Sequence, residues 1–276
     1  MKSDQKVVLV TGGSSGIGKA IAEHLVEVGY IVYGTSRSDQ KSSSSKVKML
    51  KMDVTKENSV REAIEKIQLS EGKIDVLINN AGLGMAGPLE FTSDDDAREI
   101  FSTNVFGVMN VCRHTIPLLR QTNGGNIINI TSIGGHFGLP YRGVYCSSKF
   151  AVEGYSESLS MELRQFGISV SIIEPGDFKT NINANRKIAR NVDESLYPQF
   201  QQALNQVNNE VHSAGDPILI GKKIHQILNK KSPNLYYQVG TTQQKFSVFL
   251  KRILPGRIFE AIIMRHYGMN KCKKRK

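Results

Sequence analysis

Residues 11–25 read TGGSSGIGKAIAEHL, directly after the apolar run KVVLVT at 6–11. Gly12, Gly16 and Gly18 fall in what reads as a strand-to-helix turn. Each glycine has its own physical role. Gly12 permits a tight turn, Gly16 lets the backbone approach a bound group, and Gly18 lets the helix pack close to the sheet. With Ser14, Ser15 and Ile17 between them, the turn offers free N–H groups and the positive end of a helix dipole, which suits phosphate. The spacing is G-x-x-x-G-x-G, not the standard G-x-G-x-x-G.

Outward from this turn, short β-branched runs alternate with stretches of helical period. Strands are expected at 6–11, 30–36, 46–53, 73–80, 125–132 and 168–175, and helices at 17–28, 56–69, 93–121, 143–166 and 217–230. Continuous apolar strands separated by helices imply a parallel sheet covered on both faces. Right-handed crossovers then give an α/β fold, a single Rossmann-type doubly wound parallel sheet with helices on both faces. This domain is expected over 1–242, with polar, Asn/Gln-rich residues 177–215 as a substrate lid at the carboxyl edge of the sheet. SDQKSSSSK at 38–46 reads as a flexible polar loop.

Bulk numbers limit the alternatives. The chain has 276 residues, 39% hydrophobic, which suits one large domain. No apolar run approaches the roughly 20 residues that span a bilayer, and MKSDQKVVLV lacks a leader-like apolar core. The three cysteines, Cys112, Cys146 and Cys272, are widely spaced without a CxxC. Neither a disulfide framework nor a metal site is expected, and a cytoplasmic setting is the simplest reading. The net charge of +11 is localised: residues 245–276 hold ten of the 36 Lys/Arg but one of the 25 acids. The main domain is therefore nearly balanced, and nucleic-acid binding is not expected of it.

The chemistry lies in YCSSK at 145–149. Tyr145 and Lys149 are four apart on a helical stretch, so they share a face. An ammonium beside a phenol favours the phenolate and makes Tyr145 a usable general acid/base. Alone, Y-x-x-x-K is a weak signal. Ser132 ends the strand GNIINITS thirteen residues earlier, placed to hydrogen-bond a substrate carbonyl; Thr131 is a rival that the spacing disfavours. Asn104 lies inside an expected helix, where Asn has no propensity reason to be. NNAG at 79–82 and PGDFKT at 175–180 follow the fourth and sixth strands.

These motifs, in this order and spacing, resemble the short-chain dehydrogenase/reductase family over residues 6–240, with GGHFGLPYRGVYCSSKFAVEGYSESLSMEL similar to its hydroxysteroid and retinol dehydrogenases. The resemblance implies hydride transfer between a nicotinamide cofactor and a carbonyl or alcohol, here a lipophilic small molecule. Tyr145 would be the proton donor, Ser132 would hold the substrate oxygen, and Lys149 would bind the nicotinamide ribose and tune Tyr145. Asn104 would anchor a proton-relaying water. Asp53 and Val54 would lie near the adenine; Asn80, Ala81 and Gly82 would line the cofactor. Pro175 and Gly176 would border the nicotinamide, and Thr180 would contact its carboxamide. A dimer or tetramer through the helices at 93–121 and 143–166 is implied. The competing class is a catalytically silent cofactor sensor or scaffold, against which Ser132, Tyr145 and Lys149 count.

VYGTSRSDQ at 32–40 refines the cofactor. Where a carboxylate often holds the ribose hydroxyls, this chain has Ser36 and Arg37. A guanidinium offers a planar fork to a 2′-phosphate, so NADP(H) is expected, with Ser14 as a further donor. Asp39 lies past that position.

The tail, 243–276, reads as a basic amphipathic helical extension broken at Pro255–Gly256. Phe246, Phe249, Leu250, Ile253 and Leu254 form one stripe; Ile258, Phe259, Ile262, Ile263 and His266 form a second. Three uses are open: packing on the body or a subunit partner, peripheral membrane contact with KCKKRK drawn to anionic lipid, and nucleic-acid binding, for which no reading module is recognisable.

Overall fold

The computed structural model describes residues 5–39, 46–122, 124–179, 186–212 and 214–269. Its strands are β1 (Val7–Val10), β2 (Ile31–Ser36), β3 (Lys48–Lys51), β4 (Val76–Asn79), β5 (Met85–Ala86), β6 (Asn126–Ile130), β7 (Ser169–Pro175), β8 (Lys187–Ile188) and β9 (Tyr236–Val239). Seven of them form one parallel sheet, ordered β3-β2-β1-β4-β6-β7-β9. The α-helices are α1 (Gly16–Glu27), α2 (Glu57–Glu71), α3 (Asp94–Phe101), α4 (Gly107–Leu119), α5 (Gly143–Leu163), α6 (Phe200–His212), α7 (Ile218–Leu228), α8 (Thr242–Ile253) and α9 (Gly256–His266).

Alternation along the strands explains the two faces. Leu9, Leu77, Ile127 and Val170 point to one side and meet Val60, Ile64, Val111, Val152 and Leu159 of α2, α4 and α5. Val8, Val10, Val76, Ile78, Ile128 and Ile173 point to the other and meet Ile21 and Leu25 of α1 and Ile220 and Ile224 of α7. Most positions of the central strands are therefore apolar, because both faces are buried, and the polar exceptions Asn79, Asn129, Ser171 and Glu174 are buried as well. The chain leaves β1 towards β2 on one side and returns to β4 on the other. A crevice therefore opens at the carboxyl ends of β1 and β4, where open α/β sheets bind ligands.

Three expectations need correction. The helix expected at 93–121 is two helices joined by a wide turn at Ser102–Phe106 with π-type hydrogen bonding. A seventh strand, β9, has no counterpart among the expected ones; it is short and mostly half-buried at the sheet edge, so its periodic signal is weak. The segment 177–215, expected as a polar lid without assigned elements, holds regular structure. It carries β8, which pairs with β5, and the 13-residue helix α6. Its ends are pinned together by pairing of Phe178 with Gly215, and Lys187 bridges to Asp96 of α3 at 3.0 Å and to Glu99.

The tail folds into α8 and α9. Thr241 and Gln244 form a reciprocal capping box at the start of α8. The break falls at Pro255, after which α9 begins. Val248, Phe259 and Tyr267 are buried in a third core cluster with Phe137, Leu139, Tyr145 and Cys146, and with Ala203 and Val207 of α6. The expected stripes are split: Leu250, Leu254 and Ile263 pack against this cluster, whereas Phe246, Phe249, Ile253, Ile258 and Ile262 remain exposed. KCKKRK and Cys272 lie outside the described residues, as do most of the expected polar loop and the segment 180–185.

Candidate active site

A cleft of about 1400 Å³ runs from the glycine turn to the tail helices. At its near end, Gly12 has φ +66°, a left-handed conformation that glycine adopts freely. A Cβ on Gly18 would sit 2.2 Å from the Gly12 carbonyl oxygen. The close approach at Gly18 is thus to the turn itself, not only between helix and sheet. Thr11 and Asn80 hold the turn's shape. The Thr11 hydroxyl accepts from the backbone N–H groups of Asn80 and Ala81, both at 2.9 Å, and the Asn80 side chain donates to the Thr11 and Gly12 carbonyls at 3.0 and 3.3 Å. The result is an open backbone cradle ahead of α1, which begins just after Ser15. It has the size and donor character to seat a pyrophosphate.

Gly12, Ser14, Ser15, Gly16, Ile17, Ser36, Arg37, Asp53, Val54, Asn80, Ala81 and Gly82 all border the cleft; Gly18 lies behind the turn as a packing residue. Arg37 is exposed at the end of β2. Asp39 points elsewhere, pairing with Lys51 at 3.1 Å. Asp53 accepts from the backbone and hydroxyl of Thr55 at 3.0 and 2.8 Å, which fixes its loop. Thr180 lies outside the described residues.

Ser132, Tyr145 and Lys149 line the middle of the same cleft. Tyr145 and Lys149 stand one turn apart on α5, and Ser132 hydrogen-bonds the Tyr145 hydroxyl. Burial raises the Tyr145 pKa, while the Arg142 guanidinium and the Ser132 bond pull it down. Lys149 Nζ donates to the Ile130 carbonyl at 3.0 Å, and burial pushes its pKa down to about 8, opposed by the charge of Glu153. Thr131 also borders the cleft, with its hydroxyl donating to the Ile173 carbonyl across the sheet at 3.3 Å.

Asn104 is buried in the wide turn between α3 and α4. Its Oδ1 accepts from Leu83 N at 2.7 Å; its Nδ2 donates to Leu83 O and Ser148 Oγ, each at 3.0 Å. It therefore ties the strand-4 loop to the residue beside Lys149. The odd Asn in a helical run is the signal for it, and the π-type turn is what accommodates it.

Arg142 carries no sequence motif. Its guanidinium carbon lies 4.8 Å from the Tyr145 ring centroid, nearer than the 5.8 Å of Lys149 Nζ. Its Nε is buried without a hydrogen-bond partner among the described residues. The sole sequence signal is a basic residue three before Tyr145. The far end of the cleft is also charged: Glu210 of α6 pairs with His266 of α9 at 2.7 Å, and Gln244 of α8 donates to Asp177 at 2.7 Å. Burial raises the Asp177 pKa. These contacts join elements distant in sequence, which no local pattern encodes. Phe137, Leu139, Phe246, Leu250, Ile262 and Ile263 supply the apolar remainder.

Residues 6–191 match the family model for short chain dehydrogenase. The chain is 41% identical to a 3-ketodihydrosphingosine reductase of Bacteroides thetaiotaomicron over 96% of this chain and 98% of that one. It is 30% identical to human 17-beta-hydroxysteroid dehydrogenase type 2, over 97% of this chain and 75% of that one. A short-chain dehydrogenase from Streptomyces avermitilis superposes with a TM-score of 0.81 at 29% identity, over 98% of this chain and 100% of that one. With these matches and the sheet order above, the chain belongs to the short-chain dehydrogenase/reductase family.

Proposed function

We propose that the chain is an NADPH-dependent reductase of a lipophilic ketone, of the long-chain kind named for its Bacteroides relative. One observation carries the reading: Ser132, Tyr145 and Lys149 stand on the wall of one cleft, between a phosphate-suited turn and an apolar end built by the tail. The near full-length identity to a ketone reductase favours reduction over the steroid alternative.

The cradle at residues 12–18 would hold the pyrophosphate, Asn80, Ala81 and Gly82 would border the nicotinamide half, and Arg37 with Ser14 and Ser36 would take the 2′-phosphate. The bound cofactor supplies hydride. The chain supplies position and a proton. The Ser132 hydroxyl holds the carbonyl oxygen, and the Tyr145 hydroxyl donates its proton as negative charge develops there. Arg142 over the ring and Lys149 one turn on stabilise the phenolate that remains. Lys149, supported by the Asn104 anchor, returns the proton. The same protonation path run backwards serves alcohol oxidation.

Two contacts of the assembled protein belong to this reading. The exposed Phe246, Phe249, Ile253, Ile258 and Ile262, among Lys245, Lys251, Arg252, Arg257 and Arg265, would lie in the surface of an anionic membrane, where a lipid substrate resides. No helix among the described residues is long and apolar enough to cross one. Phe106, Phe150 and Met161, exposed around α4 and α5, support pairing with a second copy, which sedimentation at micromolar concentration checks.

Turnover of 3-ketodihydrosphingosine and of a ketosteroid, with NADPH and NADH, by the wild type, Tyr145→Phe and Arg37→Asp tests the reading. Tyr145→Phe is expected to lose ~100-fold or more in kcat, and Arg37→Asp to shift preference towards NADH. Tight cofactor binding without turnover of any carbonyl would favour the silent sensor instead.

A further inference from the structure

Behind Lys149, on the side away from the cleft's mouth, lie three ionisable side chains that the reaction above does not use. His136 Nε2 meets Glu174 Oε1 at 2.6 Å, and its Nδ1 faces Glu153 Oε2 at 3.8 Å. Both glutamates are buried. Each keeps one carboxylate oxygen, Glu153 Oε1 and Glu174 Oε2, buried without a hydrogen-bond partner among the described residues. Two carboxylates in a low-dielectric interior need a compensating charge, and the imidazole between them is placed to provide it.

Where the three side chains come from matters more than their number. His136 is four residues after Ser132. Glu153 is one helical turn after Lys149, on the same face of α5. Glu174 directly precedes Pro175 and Gly176. Each of the three segments that build the reacting centre thus contributes one corner.

We propose that His136, Glu153 and Glu174 form a buried clasp that positions Ser132, Lys149 and the Pro175–Gly176 loop, and that Glu153 acts on the reaction through the charge of Lys149. The proposal rests on the reductase reading given above. All three are positioning residues; none borders the cleft.

The surroundings of Glu153 are defined on every side. Lys149 and Glu157 share its helix, Thr131 after β6 lies beside it, His136 and Glu174 face it, and Tyr236 of β9 is near enough to feel its charge. Arg252 of α8 bears on His136. Burial raises the Glu153 pKa to about 7, and Glu174 raises that of His136. Glu153 therefore gains its charge as pH rises through about 7, while His136 holds its proton to a higher pH than a free imidazole does. Gly135 makes room for the clasp: a Cβ there would lie 1.9 Å from Glu153 Oε1. The three donors also lie within 4.8 Å of one another, a spacing a cation could exploit. Yet the two ring nitrogens face different carboxylates, whereas a shared metal needs one nitrogen and both carboxylates to converge.

Glu153→Gln and Gly135→Ala test this from two directions, since Gly135→Ala displaces the carboxylate without removing it. In both, the alkaline limb of kcat/KM for carbonyl reduction is expected to move down by ~1 pH unit, because Lys149 loses the charge that holds its proton. KM for NADPH at pH 7 should change little. A second readout needs no substrate. Raised pKa values at Glu153 and His136 stabilise the fold below their unfolded values and lose that contribution as pH rises through the folded ones. The wild-type Tm should therefore fall from pH 6 to pH 8.5, and Glu153→Gln should flatten that fall. If no carbonyl is reduced by the wild type, the reductase reading fails while the Tm arm still decides the clasp. An unchanged alkaline limb together with an unchanged Tm slope overturns the proposal. So does a divalent metal that copurifies at one per chain and is lost in Glu153→Gln.

Discussion

The glycine turn and the tail wall face each other across one cleft, yet they are specified in opposite ways. The turn is a backbone object. Gly12 is there because its φ of +66° is left-handed, and Gly18 because a Cβ would sit 2.2 Å from the Gly12 carbonyl oxygen; the Thr11 and Asn80 bonds then lock the turn's shape. The tail wall is a side-chain object. Val248, Phe259 and Tyr267 make a pocket only by meeting Phe137, Leu139 and α6, each more than 35 residues away in the chain. A motif therefore finds the first and not the second.

The contrast can be broken by mutation. Phe259→Ala removes a buried ring that stacks edge-on with Phe137 at 5.0 Å. A loss of about 3 to 5 kcal/mol is expected in chemical denaturation. KM for the ketone should rise while the NADPH dissociation constant holds. A parallel loss of cofactor affinity would mean the two ends are one cooperative site. Gly18→Ala should do the reverse, weakening NADPH by at least ~100-fold, about 2.8 kcal/mol, in fluorescence titration, with the tail still protected from hydrogen exchange. Normal NADPH binding by Gly18→Ala would refute the account of the turn. The smallest effect is expected from Phe249→Asp with Ile253→Asp, on the exposed side of the tail and off the cleft wall. Stability should be unchanged, and binding to anionic vesicles should fall roughly tenfold, about 1.4 kcal/mol. If the wild type ignores anionic vesicles at low salt, the membrane contact is wrong.

The same contrast explains what is legible in the sequence. β1, α1 and the 145–149 motif can be read because periodicity and spacing act over a few residues. Ser132 can be separated from Thr131 by count alone, since both border the cleft. Asn104 can be noticed but not explained, since its partners Leu83 and Ser148 are 21 and 44 residues away. The seventh strand escapes notice because YYQV sits mostly half-buried at an edge and lacks the continuous apolar run of the central strands. Helix α6 is hidden because its apolar face, Ala203 and Val207, is thin within an Asn/Gln-rich stretch. Arg142 is hidden because its importance lies in the ring it covers, not in any motif. The expected tail stripes mix inward and outward residues because a helical wheel has no knowledge of which arc meets the body.

Tyr145 and Cys146 belong to the cluster that α8 and α9 complete. The phenol proposed as proton donor is thus also a core residue of the tail's docking site. Where a bound ligand favours the docked tail, linkage requires that whatever holds the tail in place raises affinity at the cleft by the same factor. Limited proteolysis within 243–267 should slow as ligand is added, and slow again when vesicles are. The two tail helices would then behave as a switch on occupancy, able to report to the surface whether the cleft is filled.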